Sequence, residues 1–168
     1  YLLCFSSSGQ VYWIKAYKIP EMGKYSKGKA IVNLLNLKQG DKITTVIPIK
    51  MFDDKSYLLM TTKNGLIKKT NLKNYSKPRK GGIIGIKLRD NDELVNVKLT
   101  NNYQRFIIAS KDGQAVRFDE KDVRDMGRNS MGVRGIRLNP GDEVIGMELA
   151  EETKSLLTVT EHGYGKRS

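Results

Sequence analysis

Between Gly113 and Leu138 the sequence reads GQAVRFDEKDVRDMGRNSMGVRGIRL, placing Arg117, Arg124, Arg128, Arg134 and Arg137 among glycines and small apolar residues. Guanidinium groups spread in this way suit a row of phosphates better than a single bound anion. Neighbouring glycines let backbone N–H groups approach the same oxygens. Lysines and arginines outnumber acids by 30 to 18 in 168 residues, a formal charge of +12. A surplus of that size points to a polyanionic partner, with nucleic acid the first candidate.

Other chemistry is poorly supplied. Cys4 stands alone in an apolar run and reads as a buried filler in a reducing compartment, and His162 has no second His or Cys near it. No metal site is therefore expected. Asp53-Asp54 and Asp90-Asn91-Asp92-Glu93 are acidic turns without the spacing of a calcium loop. EHGYGKRS lacks the first glycine and the strand-to-helix setting of a phosphate loop. No nucleophile, base and orienting group stand together, so neither catalysis nor a cofactor is expected. No apolar run approaches the roughly 18 residues of a membrane span, and YLLCFSSSGQ has no charged leader. The expectation is a cytoplasmic protein with no membrane partner.

The elements that position the cations come from internal repetition. YLLCFSSSGQV (1–11), YLLMTTKNGLI (57–67), RFIIASKDGQA (105–115) and SLLTVTEHGYG (155–165) share an apolar run, a polar turn and a glycine, at Gly9, Gly65, Gly113 and Gly163. A second element, KGKAIVNLLNL, KGGIIGIKL and MGVRGIRL, follows about twenty residues later, and a third, GDKITTVIPI, NDELVNVKL and GDEVIGMEL, follows that. The turns predict hairpins, since glycine accepts the positive φ that tight turns demand. Alternation in Val11–Lys15 and Ile83–Leu88 predicts half-buried strands. Asp119–Met126 is the most helix-like stretch and reads as a single turn. The expected class is all-β: a propeller-like array of four-stranded blades, about three complete repeats (1–56, 57–104, 105–154) and a partial one (155–168).

The runs IVNLLNLKQGDKI, GLIKKTNLKNY, GIIGIKLRDNDEL, AVRFDEKDVRDMGRNSMGVRGIRL and LLTVTEHGYGKR, in collinear order, resemble the C-terminal domain of the DNA gyrase A subunit. The corresponding domain of the topoisomerase IV C subunit is the nearest alternative. The resemblance implies a β-pinwheel, in which neighbouring blades exchange strands and a basic rim bends duplex DNA. It also implies the rest of gyrase A and gyrase B as partners in a bacterial, nucleoid-associated enzyme whose DNA-cleaving tyrosine belongs to another domain. The family's Gln-Arg-Arg-Gly-Gly-Lys-Gly box is missing. Its nearest echo is Lys77-Pro78-Arg79-Lys80-Gly81-Gly82, so the chain is expected to be a piece of a longer protein.

Duplex DNA carries a charge every ~1.7 Å along its axis, so a protein that bends it needs cations along an arc. The candidates at recurring positions are Lys15, Lys18, Lys68, Lys69, Lys73, Arg117, Arg124, Lys166 and Arg167, with Lys24, Lys27, Lys29, Lys77, Arg79, Lys80 and Arg128 in the second loops. The repeats carry formal charges of +5, +7, −1 and +1. The first two are thus expected to grip hardest. In the third, several arginines of the Gly113–Leu138 stretch are expected to pair with Asp119, Glu120, Asp122, Asp125, Asp142 and Glu143, and Arg134 and Arg137 to be partly structural. Tyr12, Trp13, Tyr17, Tyr25 and Tyr75 are expected to pack between blades rather than stack on bases. A basic propeller for RNA or protein, and an independent hydrolase, are the other function classes considered.

Overall fold

The computed structural model describes residues 1–168. Each apolar run forms one arm of a hairpin: β1 (Leu2–Ser6) with β2 (Gln10–Ile14), β4 (Tyr57–Thr62) with β5 (Leu66–Asn71), β8 (Arg105–Ser110) with β9 (Ala115–Asp119), and β12 (Leu157–Val159) with β13 (Gly165–Arg167). The four hairpin glycines have φ between 77° and 86°, the left-handed conformation these turns require. The third sequence element of each repeat adds a strand beside the first arm. These are β3 (Ile43–Pro48) on β1, β7 (Leu94–Thr100) on β4 and β11 (Val144–Leu149) on β8.

The second element behaves differently. β6 (Ile83–Ile84) follows the second hairpin in sequence but pairs with β2 of the first. β10 (Val133–Arg134) follows the third hairpin but pairs with β5 of the second. The first two sheets thus have the orders β3-β1-β2-β6 and β10-β5-β4-β7, each completed by a two-residue strand from the next repeat. The four-stranded blade expected from the sequence is present in these two sheets, but neither draws all four strands from one repeat. The third sheet has three strands, the fourth hairpin stands as a two-stranded sheet, and KGKAIVNLLNL forms a 3-10 turn at Ile31–Asn33. Unlike its counterparts in the second and third repeats, this segment joins no sheet.

Donation is possible because glycines stand where the segments cross. A Cβ on Gly132 (φ +91°) would lie 2.5 Å from the Ile67 carbonyl oxygen, and one on Gly85 would lie 2.5 Å from the Val11 side chain. Any side chain there would hold the donated strand off its sheet.

The sheets stack face to face. Leu3, Phe5, Val11, Ile47 and Ile49 of the first meet Leu58, Met60, Leu94 and Val97 of the second, with Leu72, Tyr75 and Ile86 between them. Leu59 and Ile67 point the other way, toward Phe106, Ile108, Val144 and Met147 of the third sheet. Strand β4 is buried on both faces, which explains why its sequence is an unbroken apolar run instead of an alternating one. One carboxylate per repeat ties the third element to its own hairpin. Asp41 accepts from Ser7 Oγ (3.0 Å), Ser8 N (3.1 Å) and Ser8 Oγ (2.7 Å); Asp92 accepts from Asn64 N (2.9 Å), and Asp142 from Asp112 N (3.0 Å). Partial burial alone would raise the Asp41 pKa, but the Ser8, Ser6 and Ser7 donors outweigh it and hold the carboxyl below its ordinary value.

Candidate nucleic-acid interface

The strand pattern presents most of the expected cations outward. Lys15 directly follows β2, Lys18 and Lys73 sit on 3-10 turns after hairpins, and Lys24, Lys27 and Lys29 lie on an irregular exposed segment. Lys77, Arg79, Lys80, Arg117, Arg124, Lys166 and Arg167 are exposed as well. The donated segments bring cations of two repeats together. Lys15 and Lys18 of the first and Arg79 and Lys80 of the second line one recess of about 340 Å³, floored by Trp13 and Leu35 and without a carboxylate in its lining. Trp13 is held in place there by an Nε1 hydrogen bond to the Tyr75 carbonyl (3.0 Å). Arg117, by contrast, shares its recess with Asp119 and Asp122, so the third repeat offers phosphate a weaker field.

Lys68 and Lys69 do not belong to the rim. Lys68 is 0% exposed and Lys69 4%. The Lys68 ammonium donates to the carbonyls of Gly85 (2.8 Å), Ser130 (3.2 Å) and Arg128. Burial, and secondarily the Arg128 guanidinium, pull its pKa down to about 7. Lys69 donates to Asn102 Oδ1 (2.8 Å) and the Glu120 carbonyl (3.1 Å), with its ammonium 5.4 Å from the Tyr57 ring centroid. The signal that could have found this is positional. Three and four residues after the hairpin glycine, where Lys68 and Lys69 stand, the first repeat has Tyr12 and Trp13, one buried and one half-buried.

Arg128 is half-buried, and its Nη1 donates to the Ile84 carbonyl (3.3 Å). Of the arginines between Gly113 and Leu138, none is in an ion pair with the acids expected to hold it; Arg105, at the start of the third repeat, is the one that reaches Asp119 (3.6 Å). The ion pairs are Lys63–Glu143, Lys98–Glu148, Arg105–Asp119, Arg105–Glu152 and Lys154–Glu151. The nearby acids serve the backbone instead, Asp125 accepting from Asn71 N (3.2 Å) and Asp142 from the turn at Asp112. A carboxylate next to an unsatisfied turn N–H gains a fixed, short-range partner, whereas a long exposed arginine must be ordered to pair. Arg134 and Arg137 are exposed. Of the aromatics, Tyr12 and Tyr75 pack inside, but Tyr17 and Tyr25 are 75% and 93% exposed, correcting the expectation that all five pack between blades. Lys15 lies 5.5 Å from the Tyr17 ring centroid and Lys24 5.8 Å from that of Tyr25.

No helix is long and apolar enough to cross a membrane. The family model described as DNA gyrase C-terminal domain, beta-propeller, matches residues 1–50, 56–101, 104–151 and 154–168. The chain is 42% identical over 167 residues to the DNA gyrase A subunit of Buchnera aphidicola subsp. Baizongia pistaciae, covering 99% of this chain and 20% of that protein. With the DNA gyrase A subunit of Escherichia coli K12 it shares 44% over 168 residues, 100% of this chain and 19% of that one. It thus spans about a fifth of the length of these relatives. Among solved structures, the C-terminal domain of a DNA topoisomerase IV superposes with a TM-score of 0.91 at 30% identity, covering 99% of this chain and 52% of that one. A DNA gyrase A C-terminal domain gives 0.82 at 35% identity, covering 99% and 53%. The matched stretches cover nearly every residue, and the chain belongs to the family of DNA gyrase C-terminal β-propeller domains.

Proposed function

We propose that this chain is part of a β-pinwheel domain, built from repeats 1–56, 57–104, 105–154 and 155–168, that binds duplex DNA along its basic rim and bends it without reading sequence. The observation that carries this is the carboxylate-free recess shared by Lys15, Lys18, Arg79 and Lys80. The first two repeats pool their cations at this open recess, and further exposed cations on the other repeats would extend the contact along an arc, as a curved polyanion requires. No helix is available to enter a major groove, so recognition rests on the backbone and on DNA deformability. The resemblance to gyrase extends the proposal. The whole protein is an ATP-dependent type IIA topoisomerase that works with a gyrase B subunit, and this module supplies the wrap for negative supercoiling while the chemistry lies in other domains.

The test is a titration of duplexes of increasing length at two salt concentrations. Affinity should rise with length until the rim is covered and fall steeply with salt, by about 10³–10⁵ between 50 and 200 mM for six to ten phosphate contacts. Affinity independent of length removes bending along a rim. A second reading rests on exposed Tyr17 and Tyr25 beside their lysines, an arrangement suited to stacking unpaired bases. Tighter binding of single strands than of duplex would favour it.

A further inference from the structure

We propose that Lys68 is a positioning residue, one that locks the two donated segments to each other and so makes the duplex grip of the second and third repeats one cooperative unit. This rests on the duplex reading above. The Lys68 ammonium stands where the two segments meet. Gly85 belongs to the segment laid on the first sheet, and Arg128 and Ser130 lead into the strand laid on the second. The same junction holds a hydrogen bond from Arg128 Nη1 to the Ile84 carbonyl (3.3 Å) and one from Lys87 N to the Ser130 carbonyl (3.1 Å). Immediately upstream of the two segments lie the loops with Lys77, Arg79 and Lys80, and with Arg124.

The chemistry requires lysine. Three converging carbonyls need a group with three donors and no acceptor, and among side chains only an ammonium meets that condition at a point. Glutamine brings an acceptor of its own, and the planar fork of arginine cannot converge on three oxygens around one atom. The equivalent position holds Tyr12 in the first repeat and Val116 in the third. The ammonium therefore sits in the second repeat, which donates β6 and receives β10.

The experiment compares the chain with its Lys68→Met and Lys68→Arg variants by amide hydrogen exchange, and each by duplex titration with Arg79→Ala, Arg124→Ala and both. In Lys68→Met, exchange should quicken at least about tenfold across 82–87 and 126–131, with β1 and β3 unchanged. Arg79→Ala and Arg124→Ala should depart from multiplicative losses by about threefold or more in the wild type and become multiplicative in Lys68→Met, without rescue by Lys68→Arg. Unchanged exchange in both segments, or coupling that persists without the lysine, overturns the proposal. If Lys68→Met does not fold, the wild type decides. A duplex of about 10 base pairs must slow exchange in both segments together, and protection of only one overturns the lock. Failure of the wild type to bind duplex refutes the duplex reading and with it the coupling, whereas the exchange result alone refutes only the lysine's role.

Discussion

Replacing Gly132 by alanine probes the device on which the whole architecture rests. Gly132 has φ +91°, and an added Cβ would lie 2.5 Å from the Ile67 carbonyl oxygen and 3.1 Å from the Lys68 Cβ. The left-handed conformation costs an alanine about 1–2 kcal/mol. The clash is with backbone that already belongs to a sheet, so β10 must give way, and β10 pairs through only Val133 and Arg134. Losing one or two of its hydrogen bonds adds about 1–2 kcal/mol. The total is about 3 kcal/mol, which for a chain of this size lowers the melting temperature by roughly 10 °C. Gly113 is the matched control, with φ +86° and no atom within 4 Å of an added Cβ. Gly113→Ala should carry only the conformational cost, a shift of roughly 4 °C. Both variants would be melted by circular dichroism under identical conditions. Equal shifts would mean that close crossing of the donated segment does not hold the second sheet together.

Replacing Lys77, Arg79 and Lys80 by alanine should lower the slope of log affinity against log salt by about 2.7, because all three are exposed and two line the shared recess. Replacing Arg117, Arg124 and Arg128 should lower it less, and only the half-buried Arg128, bonded to the Ile84 carbonyl, should lower the melting temperature noticeably. Fluorescence titration and thermal melting test both statements, and equal slopes would refute the ranking of repeats. For Asp41, whose folded pKa lies below its ordinary value, the stabilisation is full above the unfolded pKa near 4 and is lost as pH falls through the folded value. Asp41→Asn should therefore be less stable than wild type by about 1–2 kcal/mol at pH 7, with the two urea midpoints converging as pH falls through the folded value; a gap unchanged with pH would refute it.

The hairpins were legible because a glycine at a constant place in each repeat is dictated by turn geometry, and Gly9, Gly65, Gly113 and Gly163 all take the expected conformation. Strand exchange came from the family resemblance alone. Segments such as Ile83–Ile84 and Val133–Arg134 are too short to carry a periodic signal, and nothing local states which hairpin a strand completes. The burial of Lys68 and Lys69 was hidden by residue type, since two adjacent lysines on a strand read as solvated charge until the carbonyls around them are known. The arginine-rich stretch misled in the opposite direction. Proximity in sequence to Asp125 and Asp142 suggested ion pairs, but backbone N–H groups, of Asn71 at the end of β5 and of the turn at Asp112, captured those carboxylates.

The central claim, that consecutive repeats pool exposed cations along an edge that bends duplex DNA, is tested most directly by topology. Circular DNA is relaxed by an added topoisomerase in the presence of increasing amounts of this chain, the protein is removed, and the linking-number distribution is read on a gel. The account predicts a centre that shifts in one direction with protein, with the shift reduced by alanine at Lys77, Arg79 and Lys80. A distribution that stays centred on that of free DNA at saturating protein would contradict it.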